Sequence, residues 1–335
     1  METIWRCPRC RGQLGQDGVA HLLCLSCGAR YDTVDGIPDL RVNAPAWINC
    51  DEDREAARRI AHTMAGEDLE TVVRHVFRVV RGRREDNAAY RTRRTLNEPN
   101  RVRREITGWL DEATAKPFLD LGCGAGALLA AASAEGGRVG IGIDVSMVWL
   151  VVAKRLIESY GGTAVLAAGF AEALPLADGA VHGVVSLDVI EHVGDQHAYL
   201  REIDRVTAPG GMLALATPNR FSLGPEPHVR VWGVGWLPRQ WQQRYAERRS
   251  GMSYAFTRLL STWEMRRLIR MNTHFDVVLL IPAIPDEEIT QAPALRAFLA
   301  GAYNRLIGFS LGRQCALGVG AFFRVVGRKR PSGPP

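Results

Sequence analysis

The sequence predicts an α/β fold, a seven-stranded and mostly parallel sheet with helices on both faces, preceded by a small cysteine-rich module. Three observations predict it. Between residues 106 and 220, strand-length apolar runs alternate with helical patterns, which is how a parallel sheet is wound. The first run, Phe118-Leu-Asp-Leu121, passes directly into glycines at every second position, Gly122, Gly124 and Gly126. Two C-x-x-C pairs, Cys7/Cys10 and Cys24/Cys27, fall within the first 42 residues.

Size and composition agree with this. The 335 residues exceed one average domain and accommodate one α/β domain plus a small module. Nearly half are apolar, enough for a full core. No apolar run approaches the ~20 residues that span a bilayer. The opening METIWRCPRC lacks a signal-peptide apolar region, so a cytoplasmic protein is expected. The net charge of +6 is carried almost wholly by arginine, the lysines being Lys116, Lys154 and Lys329. A basic balance invites nucleic-acid partners, but an arginine bias also follows from a GC-rich coding sequence, so the charge argues only weakly for them.

Residues 1–42 form the first unit. Each C-x-x-C knuckle can wrap two thiolates around one tetrahedral Zn²⁺, and a segment this short has little core of its own. Four cysteines fill the coordination sphere, so the zinc would be structural rather than catalytic. Cys50, Cys123 and Cys315 have no framework spacing, which suits a reducing compartment. The unit serves either as a folding staple or as an activator or substrate-gripping module.

Residues 43–105 are polar and arginine-rich. Leu69, Val72, Val73, Val76, Phe77 and Val80 make one helical stripe. Two or three helices are expected here, bridging the first unit to the core and covering a ligand; the arginines of 78–84 and 91–94 read as a solvated face. Residues 106–330 form the main domain, with strands near 117–121, 138–144, 163–168, 181–187 and 211–217 and a turn at Pro209-Gly-Gly211. A substrate-side insertion spans 219–255, where Trp232, Trp236 and Trp241 serve either as lid packing or as a stacking surface. A helix is expected over 256–270, and antiparallel closing strands at Phe275–Ile281 and Gly318–Val326. Between them Ala292–Leu311 reads as an apolar helix interrupted by Arg296 and Arg305. Core packing is the expected purpose of that helix, with a greasy-substrate or membrane-surface face as the alternative.

The glycine turn suggests how a nucleoside cofactor would be held. Residues without Cβ let a backbone approach a ligand closely. The second strand ends in Asp144, about 20 residues after the turn, where an acid can accept both ribose hydroxyls. A dinucleotide could use the same parts. The spacing argues otherwise: the glycines run G-x-G-x-G rather than G-x-G-x-x-G, and the strand ends in Asp120 before the turn.

DLGCGAG (120–126), GIDVS (142–146), GFAEALPLADGAV (169–181), SLDVIEHV (186–193) and LREIDRVTAPGGMLALATPN (200–219) resemble class I S-adenosylmethionine-dependent methyltransferases, in that family's order and at its distances. The resemblance covers roughly residues 100–280 and implies a Rossmann-like sheet. It also implies that Asp120 and the backbone of Gly122, Cys123, Gly124 and Gly126 face the methionine end of S-adenosylmethionine. Asp144, with Val145 beside it, would hold the ribose; Ala171 and Glu172 would lie by the adenine, and Leu187 would lie at the cofactor end of its strand. Phe170 departs from the pattern, standing where many relatives carry an acid, so adenine recognition passes to backbone groups and stacking. Cys7–Tyr31-Asp-Thr-Val-Asp-Gly-Ile-Pro-Asp-Leu40 is similar to the small zinc-ribbon proteins that partner methyltransferases.

Chemistry is expected at Asp188, Glu191 and His192, which one helical turn after the fourth strand would set on one side at i, i+3 and i+4, together with His228. Two carboxylates and two imidazoles suit a divalent ion such as Mg²⁺ or Mn²⁺. The set is similar to the acid-x-x-Glu-His motif of ubiquinone-pathway O-methyltransferases. It is also similar to the motif of small-RNA 3′-terminal 2′-O-methyltransferases, whose second histidine Thr217-Pro-Asn219 and His228 echo; Asp188 stands where both carry Glu. The alternative is a metal-free pocket with His192 as general base. The expected activity is O-methylation of a hydroxylated small molecule, glycan or lipid-linked sugar, with RNA as the rival substrate class and peripheral membrane contact compatible with either.

Overall fold

Two sheets organise the chain, whose computed structural model describes residues 4–18, 20–135, 138–163, 165–290 and 293–331. The first sheet is antiparallel and runs in chain order: β1 (Leu14–Gln16), β2 (His21–Cys24), β3 (Arg30–Val34) and β4 (Ile37–Pro38). Helices α1 (Cys50–Thr63), α2 (Leu69–His75) and α3 (Glu85–Ile106) follow, with the short α4 (Asp111–Thr114). Asn49 and Asp68 cap α1 and α2 through their side-chain oxygens. The apolar stripe of α2 continues through a π-helical turn, Val76–Val80, and buries Val72, Val73, Val76 and Phe77.

The second sheet is wound as the alternation predicts: β5 (Phe118–Leu121), α5 (Ala127–Ala134), β6 (Gly140–Asp144), α6 (Met147–Ser159), β7 (Val165–Ala168), β8 (Val181–Leu187), α7 (Gln196–Val206) and β9 (Thr207–Pro218). After α8 (Arg239–Ser250) and α9 (Thr262–Asn272), β10 (Phe275–Leu280) leads through α10 (Asp286–Thr290), α11 (Ala294–Gly308) and α12 (Ser310–Val319) into β11 (Phe322–Lys329). The seven strands lie in the order β10-β11-β9-β8-β5-β6-β7. Strands β5 to β9 are mutually parallel, and β11 is antiparallel to both its neighbours. This is a Rossmann-like sheet. The winding reverses between β5 and β8, which opens a crevice at their C-terminal ends.

The two faces of β5 show the period-two logic of a buried strand. Phe118 packs with the core formed by α1 to α6, whereas Leu119 and Leu121 pack with α7, α9 and the first sheet. Trp5, Leu14, Leu22, Tyr31 and Leu40 belong to that second core. The expectation that residues 1–42 have little core of their own holds: they share the core of the main sheet. Arg6 N donates to Pro175 O at 2.9 Å and Leu40 N to Ala168 O at 2.8 Å, so the first sheet is stitched to the end of β7.

Three expectations are corrected. The helix expected from 256 begins at Thr262, where Ser261 and Glu264 form a capping box. The last strand begins at Phe322, because Gly318 and Val319 close α12. That helix packs tightly on its predecessor: a Cβ on Gly312 would lie 2.0 Å from Leu306 O. Helix α11 contributes no buried residue. It is held instead by Tyr303 Oη donating to Pro282 O and by Asn304 bonding both backbone groups of Ile284.

One ion network joins the modules. Arg41, its side chain almost fully buried, directs all five donors inward. Nε and Nη2 donate to Asp39 at 2.8 and 2.7 Å, and Nη1 donates to Asp53 and to Val145 O, both at 2.8 Å. Nη2 also reaches Cys50 O at 3.2 Å. Asp53 in turn accepts Ser146 Oγ and Met147 N, capping α6 from a distant part of the chain. Arg41→Met leaves Asp39 with Arg54 as its one remaining cation and Asp53 with only Ser146 Oγ and Met147 N, and should lower unfolding stability by about 3 kcal/mol. Arg230→Gln, on an exposed turn, serves as the control and should fall within about 0.5 kcal/mol of the parent in the same denaturant titration. Equal midpoints for the two variants would show that the network carries no such constraint.

Candidate functional site

At the end of β5 the chain turns back on β6: Gly122 N and Cys123 N donate to Ile143 O at 2.7 and 3.2 Å. Asp144 pins the turn. Its Oδ2 accepts Gly124 N and its Oδ1 accepts Ser146 N, both at 2.8 Å, leaving further lone pairs on each oxygen. The glycines play different parts. Gly124, at φ +51, would direct a Cβ into open space, so its bare backbone faces the crevice. At Gly122, φ is +79 and a Cβ would fall 2.2 Å from Val189 Cγ2. A Cβ on Gly126 would meet Ala153 at 2.9 Å. The left-handed φ alone accounts for glycine at 124, while internal packing adds a steric reason at the other two.

Asp120, the penultimate residue of β5, is buried. Burial and the nearby Asp144 carboxylate push it up to about 8. Burial also raises Asp144, against the backbone N–H groups of Ser146 and Gly124. Cys123 is buried and its thiol is raised well above the usual range, as suits a packing residue. Val145 gives its carbonyl to Arg41. Gly169 N donates to Asp144 O at 3.0 Å, bringing the segment after β7 alongside. There Phe170 and Ala171 are buried, which leaves little of the Phe170 ring for stacking. The Glu172 carboxylate accepts Gly194 N at 2.8 Å, tying this segment to the turn after β8. Leu187, half-buried, ends β8 opposite Ala216.

Past β8 the expected helical turn does not form. Asp188 takes a left-handed φ of 56°, and His192 N closes a turn on Val189 O at 2.8 Å. The ligand atoms of Glu191, His192 and His228 lie within 4.8 Å of one another; Asp188 is not among them. The left-handed residue redirects the chain, so the i, i+3, i+4 alignment is lost. Asp188 is raised chiefly by burial, against the opposing charges of His228, Arg101 and Arg94. The last two line a 380 Å³ cavity with Tyr90, Arg93, Asn97 and Glu98, along one face of α3.

Glu191 is buried. Its Oε2 accepts Thr217 Oγ1 at 3.0 Å, while Oε1 has no hydrogen-bond partner. Burial, with Asp188 adding to it, pushes this carboxyl to about 7. The His192 and His228 rings meet edge to face, centroids 4.7 Å apart. Burial and His228 lower the pKa of His192. For His228 burial works against the charge, but Glu226 outweighs it and the pKa rises. His228 Nδ1 donates to Glu226 Oε1 at 2.5 Å, and Glu226 Oε2 accepts the backbone N–H of His228 and Val229. This leaves Nε2 as the free ligand atom, backed by a carboxylate in the manner of metal-binding histidines. Glu226 and Thr217 were missed as participants; the acid two residues before His228 was the available signal.

At the other end of the chain, the four Sγ atoms of Cys7, Cys10, Cys24 and Cys27 converge within 4.8 Å. Cys7 lies 3.7 Å from Cys27, and Cys10 lies 3.4 Å from Cys24. Burial opposes ionisation of Cys24, but backbone N–H groups of Cys27 and Ser26 bring it down to about 6. Trp232, Trp236 and Trp241 are all exposed, Trp236 resting on Phe221 at 5.1 Å.

The glycine turn pinned by Asp144 and the cluster that follows β8 thus both lie at the strand ends where the strand order reverses. Residues 119–215 match the family described as "Methyltransferase domain". The chain is 34% identical over 130 residues to a ubiquinone biosynthesis O-methyltransferase of Maricaulis maris, an overlap covering 36% of this chain and 49% of that one. It is 38% identical over 114 residues to a protein of Mycobacterium tuberculosis described as "Probable S-adenosylmethionine-dependent methyltransferase", covering 33% and 39%. The chain thus spans half or less of the length of these relatives. An S-adenosylmethionine-dependent methyltransferase from Mesorhizobium loti is similar in structure, with TM-score 0.47, 18% identity, and 68% and 96% coverage.

The pH dependence follows from Asp120. Its native pKa is about 8 against an ordinary 3.8, so its contribution to stability is full below about 4 and is lost as pH rises toward 8. In the ligand-free protein, Asp120→Asn should match the parent's melting temperature near pH 4 and exceed it increasingly up to pH 8. A difference that is flat with pH would remove the assignment.

Proposed function

We propose that the chain is an S-adenosylmethionine-dependent methyltransferase that modifies an oxygen of a hydroxylated small molecule, glycan or lipid-linked sugar. The observation that carries the reading is a juxtaposition across the β5/β8 crevice. The Asp144-pinned turn with the open backbone at Gly124 stands on one side, and the Glu191–His192–His228 cluster on the other. Asp144 is suited to accept ribose hydroxyls because its bonds to Gly124 and Ser146 fix its orientation and leave lone pairs free. The cofactor, when bound, supplies an electrophilic methyl group on its sulfonium.

The residues of the second cluster fit a divalent cation. Glu191 Oε1, buried and without a partner, is a ligand atom lacking its counterpart. His228 Nε2 is directed by Glu226, and His192 is biased toward the neutral form that ligates metal. Glu191, His192 and His228 would hold the ion, and Asp188, set apart from them, would orient the acceptor. Such an ion lowers the pKa of a hydroxyl beside it. At the N-terminus the four thiols suit a structural zinc. If no cation binds in the crevice, His192 is the group placed to take the hydroxyl proton.

Asp144→Ala should weaken S-adenosylmethionine binding by roughly 1.5–3 kcal/mol, the range for a hydrogen bond to a charged group. Unchanged affinity by calorimetry would overturn the cofactor assignment. Turnover should fall on brief treatment with EDTA and return with Mg²⁺ or Mn²⁺ but not with Zn²⁺, and His228→Ala should copy the chelated enzyme with cofactor affinity intact. Should EDTA leave turnover unchanged while His192→Ala abolishes it, the cation gives way to His192 as general base.

A further inference from the structure

Helix α11 is turned inside out. Leu295, Phe298, Leu299 and Leu306 recur at the spacing of one helical face, and Phe309 follows at the extended residue that ends the helix. That face points away from the protein: Leu295, Phe298 and Leu299 are 72%, 70% and 56% exposed. The opposite face is polar where it meets the body, through Tyr303 Oη to Pro282 O at 3.1 Å and Asn304 to Ile284 at 2.8 and 2.9 Å. These tethers hold the apolar face outward. From Pro293 to Ala321 the chain carries Arg296, Arg305 and Arg313, all exposed, and no Asp or Glu; the nearest acids in sequence, Asp286, Glu287 and Glu288, belong to α10.

The hairpin of α11 and α12 also stands at the working edge of the sheet. Phe322 pairs with Pro218 and Leu280 with Arg324, so the segment leaves and rejoins the sheet where β5, β8 and β9 finish. Asn219 Nδ2 donates to Leu317 O and Gly318 O, both at 3.1 Å, and Leu223 N donates to Val319 O at 3.0 Å. The stretch so attached carries the exposed Leu223, Trp232 and Trp236.

We infer that this face docks on the surface of a bilayer containing anionic lipid. Helix α11 lies in the plane of the interface, its leucines and phenylalanines among the acyl chains and its arginines among the headgroups. The crevice at the strand ends is thereby brought to acceptors held at that surface. At 15 residues, α11 is too short to cross the ~20-residue thickness of a bilayer, so it lies on the membrane. A second copy of the chain is a poorer occupant, since a two-fold contact through α11 and α12 would bring two sets of three arginines together on elements that carry no acid of their own. The inference rests on the outward face and not on the methyl-transfer reading.

Sedimentation of the full chain with vesicles tests it. The protein should pellet with vesicles of phosphatidylcholine mixed with phosphatidylglycerol, pellet far less with phosphatidylcholine alone, and be released by salt. Phe298→Ser should lower partitioning about tenfold, and Leu295→Ser/Phe298→Ser by more. Arg296→Gln/Arg305→Gln should abolish the preference for phosphatidylglycerol. S-adenosylmethionine affinity and melting temperature should stay at parental values in all three, which separates this face from the cofactor site. A parent that stays in the supernatant with both vesicles overturns the inference, as does a Phe298→Ser variant that pellets like the parent. Concentration-dependent dimerisation lost in Phe298→Ser, without vesicle binding, assigns the face to a second copy instead.

Discussion

The structure depends on the burial of Arg41. A guanidinium deep in a protein is tolerated only when its donors are satisfied and its charge is met, and here Asp39, Asp53, Val145 O and Cys50 O do both. These partners come from the end of the first sheet, from α1 and from the loop between β6 and α6. None of those segments can shift without stranding a buried charge. Such a network adds little net stability, because desolvation offsets much of the attraction. What it imposes is geometry. The loop it fixes begins at Asp144, so the acid that pins the glycine turn rests on residues about a hundred positions earlier in the chain.

The same electrostatic economy shapes the crevice. Asp120, Asp144 and Glu191 are carboxyls removed from water, and each is pushed upward by burial. They differ in what opposes the push. Asp144 receives two backbone N–H groups and Glu191 a side-chain hydroxyl, whereas the field of Asp144 adds to the push on Asp120. A carboxyl left under-satisfied inside a fold marks a place where the chain alone does not complete the hydrogen bonding. Glu191 Oε1 is such a place, and it sits beside two imidazoles. Asp188, by contrast, is exposed and stands outside the cluster, in the field of His228 and of Arg101 and Arg94 of α3.

What was legible in the sequence was local. The apolar run into Gly122, Gly124 and Gly126, the acid at the end of the next strand and the paired cysteines each carry their geometry within a few residues. Structure that arises between distant segments was not legible. Nothing near Asp188 announces a left-handed residue, so helical spacing misplaced it. Glu226, two residues before His228, offers a local signal, but its role shows only in its bond to the imidazole. The first 42 residues look too small to own a core because half of that core belongs to β5, α7 and α9.

Helix α11 shows why an apolar pattern alone cannot say which way a helix faces. Its leucines and phenylalanines have the spacing of a core helix, and burying each would contribute roughly 1.5–3 kcal/mol. The orientation is decided instead by Tyr303 and Asn304, whose polar atoms find backbone partners only on the protein side, and by Gly312, which lets α12 close on Leu306 O. Turning the helix over would bury Arg296 and Arg305 with no acid in the segment to meet them, at a cost of several kcal/mol for each. That offsets much of what the apolar face would return, and the apolar surface lies outside the fold.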